Sequence, residues 1–353
     1  MRVLVVDDSA FMRRAITRMI ASDPDLEIVG TACNGREAIE QAVLLKPDVI
    51  TLDIEMPEMD GLTALRLLRV KCPDPKPAVL VCSSLTTDGS HEALRAMRLG
   101  AADVIAKDAS MFSATIEDMR DDLVRKVKAV GSGRGSLAAA ATTRVADRFA
   151  VPDPGSLSLI AIGSSTGGPP VLETVLAKVT PDIPFPIVIA QHMPALFTRS
   201  LANRLDSACA VTITHATETM PLHPGTVYII EGGKNGLVRA GISGRMSLRI
   251  TDEAMGKLYI PSVDLLLDSA SSLASRALGI VLTGMGEDGL EGGRTFKQRG
   301  GAIIAQDAAS CTVYGMPRAI VDAGIADAQI TPDDIACLLG VLSSPGAAAR
   351  RSA

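Results

Sequence analysis

The sequence predicts an α/β chain of two doubly wound parallel-sheet domains joined by a linker, and three observations predict it. Short apolar runs alternate with helix-like stretches in both halves of the chain. Aromatic residues make up only 3% of the sequence and Trp is absent, so the cores must be built from Ala, Val, Leu, Ile and Met, as where helices cover a parallel sheet. With 353 residues the chain is long for one core and comfortable for two.

The first half carries apolar runs at 2–6, 26–32, 48–52, 78–82 and 102–106, with helical patterns between them, as at 10–21 and 35–45. A charged amphipathic helix over 113–129 closes a domain spanning 1–130. Residues 131–155 mix Gly, Ser, Ala and Pro and read as a linker with room for a short helix through its alanines. Apolar runs resume at 157–162 and recur at 187–190, 211–214, 226–230, 278–282 and 302–305, which gives a second α/β domain over 156–345. Residues 346–353 read as a frayed tail, and no period or motif relates the two halves.

A net charge of −5 argues against a chain that works on nucleic acid or an anionic membrane surface. No stretch approaches the roughly 18 uninterrupted apolar residues of a membrane span, and the first apolar run meets Asp7 and Asp8 too soon for a signal peptide. The six cysteines show no Cys-x-x-Cys pair or metal spacing and read as free thiols in a reducing compartment, so the expected location is the cytoplasm.

Three carboxylates fall at the carboxyl ends of predicted strands in the first domain: Asp7 and Asp8 after the first run, Asp53 after the third. That edge of an open parallel sheet is where ligands bind. Gathered there they would repel one another unless a cation neutralised them, and hard oxygen ligands with few protein donors suit Mg²⁺. Ser83 ends the fourth run and Lys107 the fifth, at the same edge. A hydroxyl and an ammonium there would meet the oxygens of a phosphorylated Asp53, which makes a phosphoryl-transfer pocket. A single aspartate at such a place most often caps a helix; five groups at successive strand ends point beyond that.

The strings VLVVDDSAFMR, LDIEMPEMDGL, VLVCSS and VIAKD resemble the flavodoxin-like response-regulator receiver domains of two-component signalling, over residues 1–125. The resemblance implies that Asp53 is the phosphoacceptor, supplied by a histidine kinase. It implies that Asp8 and Asp53, assisted by Asp7 and the Glu55 carbonyl, hold Mg²⁺. Lys107 would contact the phosphoryl group and Ser83 would report it. One departure stands out: receivers usually carry Pro after this lysine, and here it is Asp108.

In the second half, the apolar run 157–163 enters the turn Ser164-Ser165-Thr166-Gly167-Gly168-Pro169-Pro170, with helix expected over 171–177. A hydroxyl-rich turn at a helix N-terminus can present a nucleophile where amides favour a developing anion. An ordinary helix cap or a phosphate loop reads equally from such a string, although the lysine of a Walker motif is missing. Of four histidines, only His192 directly follows an apolar strand; His91 lies in the first domain, His215 in or at the end of a strand-like run and His223 in a Pro-flanked turn. The run 277–282 leads into the glycine-rich loop Thr283-Gly284-Met285-Gly286-Glu287-Asp288-Gly289, and spacing leaves Glu287 and Asp288 both open as an orienting acid. On spacing alone, a Ser–His–acid hydrolase and a phosphate-binding domain both fit.

IGSSTGGP, AQHMP and VLTGMGEDGLEGG, behind a receiver, resemble the chemotaxis-type protein-glutamate methylesterases over nearly the whole chain. The resemblance implies an α/β serine esterase in which Ser165 is the nucleophile, His192 the base acting through Nε2, Asp288 the acid and the Met285 N–H the oxyanion donor. It implies hydrolysis of glutamyl γ-methyl esters on chemoreceptors and deamidation of selected glutamines, without a cofactor in this domain. It also implies that the receiver occludes the esterase until Asp53 is phosphorylated. The rivals are a binding-only response regulator, a DNA-binding regulator, and the same esterase acting on a target other than chemoreceptors.

Overall fold

In the computed structural model the chain divides into two compact units. The structure describes residues 1–84, 86–107, 115–132, 156–241 and 245–343. Asp108, residues 133–155 of the expected linker and the expected tail lie outside the described residues.

In the first unit, strands β1 (Arg2–Val6), β2 (Glu27–Ala32), β3 (Val49–Asp53), β4 (Ala78–Ser84) and β5 (Asp103–Lys107) alternate with helices α1 (Ala10–Ile20), α2 (Gly35–Leu45), α3 (Gly61–Lys71), α4 (Thr87–Arg98) and α5 (Thr115–Ser132). The strands form a parallel sheet in the order β2-β1-β3-β4-β5. Central β3 is buried along its whole length, which is why its sequence runs apolar without alternation. Side chains start the first four helices: Ser9, Asn34, Asp60 and Thr86 accept from the backbone N–H groups of Met12, Glu37, Thr63 and Gly89. The winding reverses between β1 and β3, so a crevice opens where Asp7 and Asp53 stand.

The second unit runs β6 (Leu159–Ser164), α6 (Gly168–Leu176), β7 (Ile187–Gln191), α7 (Ala195–Ala208), β8 (Thr212–Ala216), β9 (Met220–Leu222), β10 (Thr226–Ile230), β11 (Asn235–Ala240) and β12 (Met246–Thr251). It continues α8 (Val263–Ala270), β13 (Ala277–Val281), α9 (Leu290–Gln298), β14 (Ala302–Gln306), α10 (Met316–Asp322), β15 (Ala328–Ile330) and α11 (Pro332–Leu342). Its main sheet is parallel and ordered β15-β14-β13-β6-β7-β10-β8. From β6 the chain builds outward through β7 on one side and later through β13 on the other, so this sheet reverses between β6 and β13. The ends of β6, β7 and β13 therefore meet at one crevice.

Two features differ from the expectation. Strands β9, β11 and β12 form a separate antiparallel sheet whose Leu222, Val238 and Leu248 pack into the core beside Leu266 of α8. Neither β11 (NGLVRA) nor β12 (MSLRIT) holds an apolar run longer than two residues, so a search for continuous apolar runs passes over them. Helix α6 starts at Gly168 rather than at 171, because Pro169 and Pro170 occupy the first turn, where a missing N–H costs nothing.

Candidate active site and acidic pocket

In the first unit, one carboxylate oxygen each from Asp7, Asp8 and Asp53 lies within 4.8 Å of the others. Asp7 and Asp53 are buried and Asp8 is exposed. Lys107, at the end of β5, reaches across the crevice and places Nζ 2.6 Å from Asp7 Oδ2 and 2.7 Å from Asp53 Oδ2. Burial pushes the Asp53 carboxyl above its ordinary value; Lys107 opposes this and the charges of Asp7 and Asp8 add to it. Burial alone would lower Lys107, but Asp53 and Asp7 hold its ammonium above the usual value. One ammonium facing three carboxylates leaves excess negative charge, and an all-oxygen donor set of this kind fits a hard divalent cation such as Mg²⁺.

The remaining receiver-type residues are placed differently. Ser83 is buried and its hydroxyl donates to the Gly89 carbonyl in α4 at 2.8 Å, away from the acidic cluster. Glu55 is exposed on the loop after β3, beside Ile54 and Pro57. Arg13 of α1 was not anticipated: its guanidinium donates to the carbonyls of Asp7 (2.7 Å) and Asp8 (3.0 Å) and fixes the backbone of the acidic turn. A basic residue one helical turn past an acidic strand end was the available signal.

In the second unit, the two neighbouring serines after β6 have different surroundings. Ser164 is fully buried and its Oγ donates to Gln191 Oε1 at 2.6 Å, while Gln191 Nε2 donates to the Ser165 carbonyl at 2.9 Å. Ser165 heads the turn into α6, its N–H donating to the Thr283 carbonyl at the end of β13 (3.0 Å). Gly167 closes that turn with φ of 78°, a conformation glycine adopts without strain. Gly284 lies against the serine, and a Cβ there would come within 2.6 Å of Ser165 Cβ.

His192 follows β7, and its backbone N–H donates to the Ser164 carbonyl at 3.0 Å. Its imidazole is almost wholly buried, with Nε2 2.8 Å from Asp288 Oδ2. Nδ1 is buried and has no hydrogen-bond partner among the described residues. The nitrogen left for a hydroxyl is therefore Nδ1, not the Nε2 expected from the sequence, because the carboxylate already occupies Nε2. The ring of Tyr259 stacks flat on the imidazole, with centroids 4.5 Å apart and planes 7° from parallel.

Asp288 is buried at the N-terminus of α8, whereas Glu287 is exposed, so only the aspartate meets the histidine. Asp288 Oδ1 accepts from Ser262 Oγ (3.0 Å) and Asp264 N–H (2.9 Å); Oδ2 accepts from Val263 N–H (2.8 Å) and pairs with His192. Burial would raise this carboxyl, but the His192 bond and the amides at the helix start outweigh it and hold it below its ordinary value. Asp264 returns the arrangement by accepting from Gly289 N–H (2.9 Å) and Gly292 N–H (3.0 Å) at the start of α9. Each aspartate thus caps the other's helix. Buried Thr283 locks the floor of the crevice, its hydroxyl donating to the Thr166 carbonyl at 2.9 Å and accepting from the Val313 N–H at 3.0 Å. Met285 follows in the same loop and is buried.

A hydroxyl, an imidazole and a carboxylate at three adjoining strand ends can perform acyl transfer. A CheB methylesterase family model matches residues 160–339, and a response regulator receiver domain model matches residues 3–115. The curated "Protein-glutamate methylesterase/protein-glutamine glutaminase 1" of Oleidesulfovibrio alaskensis is 46% identical over 95% of this chain and 97% of its own. The chain belongs to the CheB methylesterase family. A second relative, "Protein-glutamate methylesterase/protein-glutamine glutaminase 2" of Nitratidesulfovibrio vulgaris, is 44% identical over 96% of this chain and 98% of its own. The crystal structure of the Thermotoga maritima CheB methylesterase catalytic domain matches with a TM-score of 0.50 at 36% identity, covering 53% of this chain and 98% of that one. The chain is thus a CheB-family enzyme carrying a receiver domain. Among the described residues, no helix is long and apolar enough to cross a membrane.

The other histidines stand elsewhere. His215 lies within β8, its Nε2 3.0 Å from Thr198 Oγ1, and His91 lies in α4. The His223 N–H donates to the Tyr228 hydroxyl. Five neighbours of the reactive groups carried no expected role: Gln191, Ser262, Asp264 and Thr283, which hydrogen-bond to Ser165 or Asp288, and Tyr259, whose ring stacks on His192. The signal for Ser262 and Asp264 was a serine followed two residues later by an acid at the start of an apolar helix.

Proposed function

We propose that this protein is a phosphorylation-controlled protein-glutamate methylesterase and glutamine deamidase of the cytoplasm, acting on chemoreceptors. The observation that carries this reading is the His192–Asp288 pair at 2.8 Å, set at the strand end next to Ser165. In the reaction, the Ser165 hydroxyl gives its proton to His192 Nδ1 as Oγ bonds to the carbonyl carbon of a glutamyl γ-methyl ester. The Met285 N–H stabilises the oxyanion, and Asp288 holds the imidazolium through Nε2. The carbon–methoxy bond breaks, His192 returns the proton, and methanol leaves. Water then attacks the acyl-enzyme, giving a proton to His192; His192 passes it to Ser165 Oγ as that bond breaks, and the receptor's new carboxyl group loses its proton to solvent and stays a carboxylate. With a glutamine substrate, ammonia leaves in the first half.

The receiver domain takes a phosphoryl group from a histidine kinase on Asp53 and restrains the esterase until it does. Asp7, Asp8 and Asp53, with the Glu55 carbonyl, would hold Mg²⁺, which would supply positive charge for the phosphoryl oxygens. Lys107 pairs with the phosphoryl group, and the Ser83 hydroxyl leaves Gly89 to join it. The catalytic domain uses no cofactor.

The test is methanol release from methylated receptor membranes. Ser165→Ala loses it while Asp53 still accepts a phosphoryl group. Ser164→Ala, which removes only the bond to Gln191, keeps most of it. The reverse pattern would reassign the nucleophile, and release by neither wild type nor variant would remove the esterase reading.

A further inference from the structure

Among the described residues, the one side-chain hydrogen bond of His192 is to Asp288, and a single bond fixes Nε2 but not the tilt of the ring about it. A flat contact covers one face of the ring. The Tyr259 ring lies 4.5 Å from the imidazole, centroid to centroid, and 7° from parallel. Tyr259 itself is held from several sides. Lys257, two residues before it, sits 3.0 Å from Asp264 and 2.6 Å from Glu291. The Ile260 carbonyl accepts from the Gly233 N–H at 3.2 Å, and the Ser262 N–H donates to Asn235 at 2.9 Å. Gly286 flanks the ring, where a Cβ would lie 3.5 Å from the tyrosine oxygen. The segment that carries the stack is the same one that supplies Ser262, Val263 and Asp264 to the Asp288 carboxylate. One stretch of chain therefore sets the acid and covers the base.

We infer that Tyr259 is a positioning residue for His192: its stacked ring keeps Nε2 on Asp288 and Nδ1 available to Ser165, and its π face stabilises the imidazolium formed when Ser165 attacks. This rests on the esterase reading. The imidazole is neutral before attack and cationic in the transition state, and an aromatic face attracts the cation more than the neutral ring. An interaction gained only in the transition state raises kcat and leaves substrate binding alone.

The experiment uses the full chain with two variants, Tyr259→Phe and Tyr259→Leu. It reads methanol release for kcat and KM, and the ring C–H resonances of His192 by NMR, assigned with His192→Gln. Tyr259→Phe keeps kcat and KM within about twofold and keeps the upfield ring-current displacement of the His192 resonances. Tyr259→Leu lowers kcat roughly three- to thirtyfold, leaves KM within about twofold and abolishes the displacement. Three results would overturn the inference: wild-type kcat in Tyr259→Leu, a loss confined to KM, which marks a substrate contact, or a loss in Tyr259→Phe, which marks the hydroxyl. The NMR displacement does not depend on turnover. If wild type released no methanol, the esterase reading would fall, while an undisplaced His192 resonance in wild type would overturn the stack itself.

Discussion

Asp53 and Asp288 are the same residue type, both buried, both at the carboxyl edge of a parallel sheet beside its reversal point, yet their surroundings pull them in opposite directions. Asp53 shares one ammonium with Asp7 and has a further acid, Asp8, beside it, so burial prevails and its carboxyl stands above the ordinary value. Asp288 has an imidazole, a hydroxyl and two backbone N–H groups, enough to offset the same desolvation and hold its carboxyl down. The contrast lies in the supply of donors. A carboxylate short of positive partners is suited to gaining a cation or a phosphoryl group. One saturated with donors is suited to holding a neighbour still.

The largest effect that would break this comparison belongs to Asp288. Asp288→Asn keeps the shape of the site but loses the charge that supports the imidazolium, and kcat for methanol release should fall by about 10⁴-fold. A fall of less than tenfold would mean that Asp288 serves the helices and not the histidine.

A smaller effect concerns stability, where the two aspartates should act with opposite sign. The Asp288 carboxyl lies below the ordinary 3.8 in the folded chain, so its contribution is complete above that value and is lost as pH falls through the folded one. Asp288→Asn should therefore cost about 1–3 kcal/mol near neutral pH, and the gap should narrow as pH drops below about 4. The Asp53 carboxyl lies above 3.8, so it favours folding only when protonated, and that stability is lost as pH rises through the folded value. In Mg²⁺-free urea unfolding near neutral pH, Asp53→Asn should be more stable than wild type. Destabilisation by both variants would erase the contrast.

Much of this was legible in the chain because strand ends announce themselves. Asp7, Asp53, Lys107, Ser165 and His192 each stop an apolar run or follow one directly, and a parallel sheet gathers such positions at one edge. What was not legible depends on pairings between distant segments. Nothing local to Ser262 or Asp264 says that they will meet the loop before α9, and nothing local to Tyr259 says that it will cover His192. The choice between imidazole nitrogens was also hidden, since it is set by which one Asp288 takes. The antiparallel sheet escaped because β11 and β12 hold no apolar run longer than two residues.

The proposed function joins the two sites by one dependency: the state of Asp53 would govern the chemistry of Ser165. The direct measurement is the methanol-release rate of the full chain with Mg²⁺, before and after addition of a small acyl-phosphate donor, for wild type and Asp53→Asn. Wild type should rise by a factor between about five and 150, and Asp53→Asn should stay at its starting rate. An equal response in both proteins, or none in a wild type shown to carry the phosphoryl group, would contradict it.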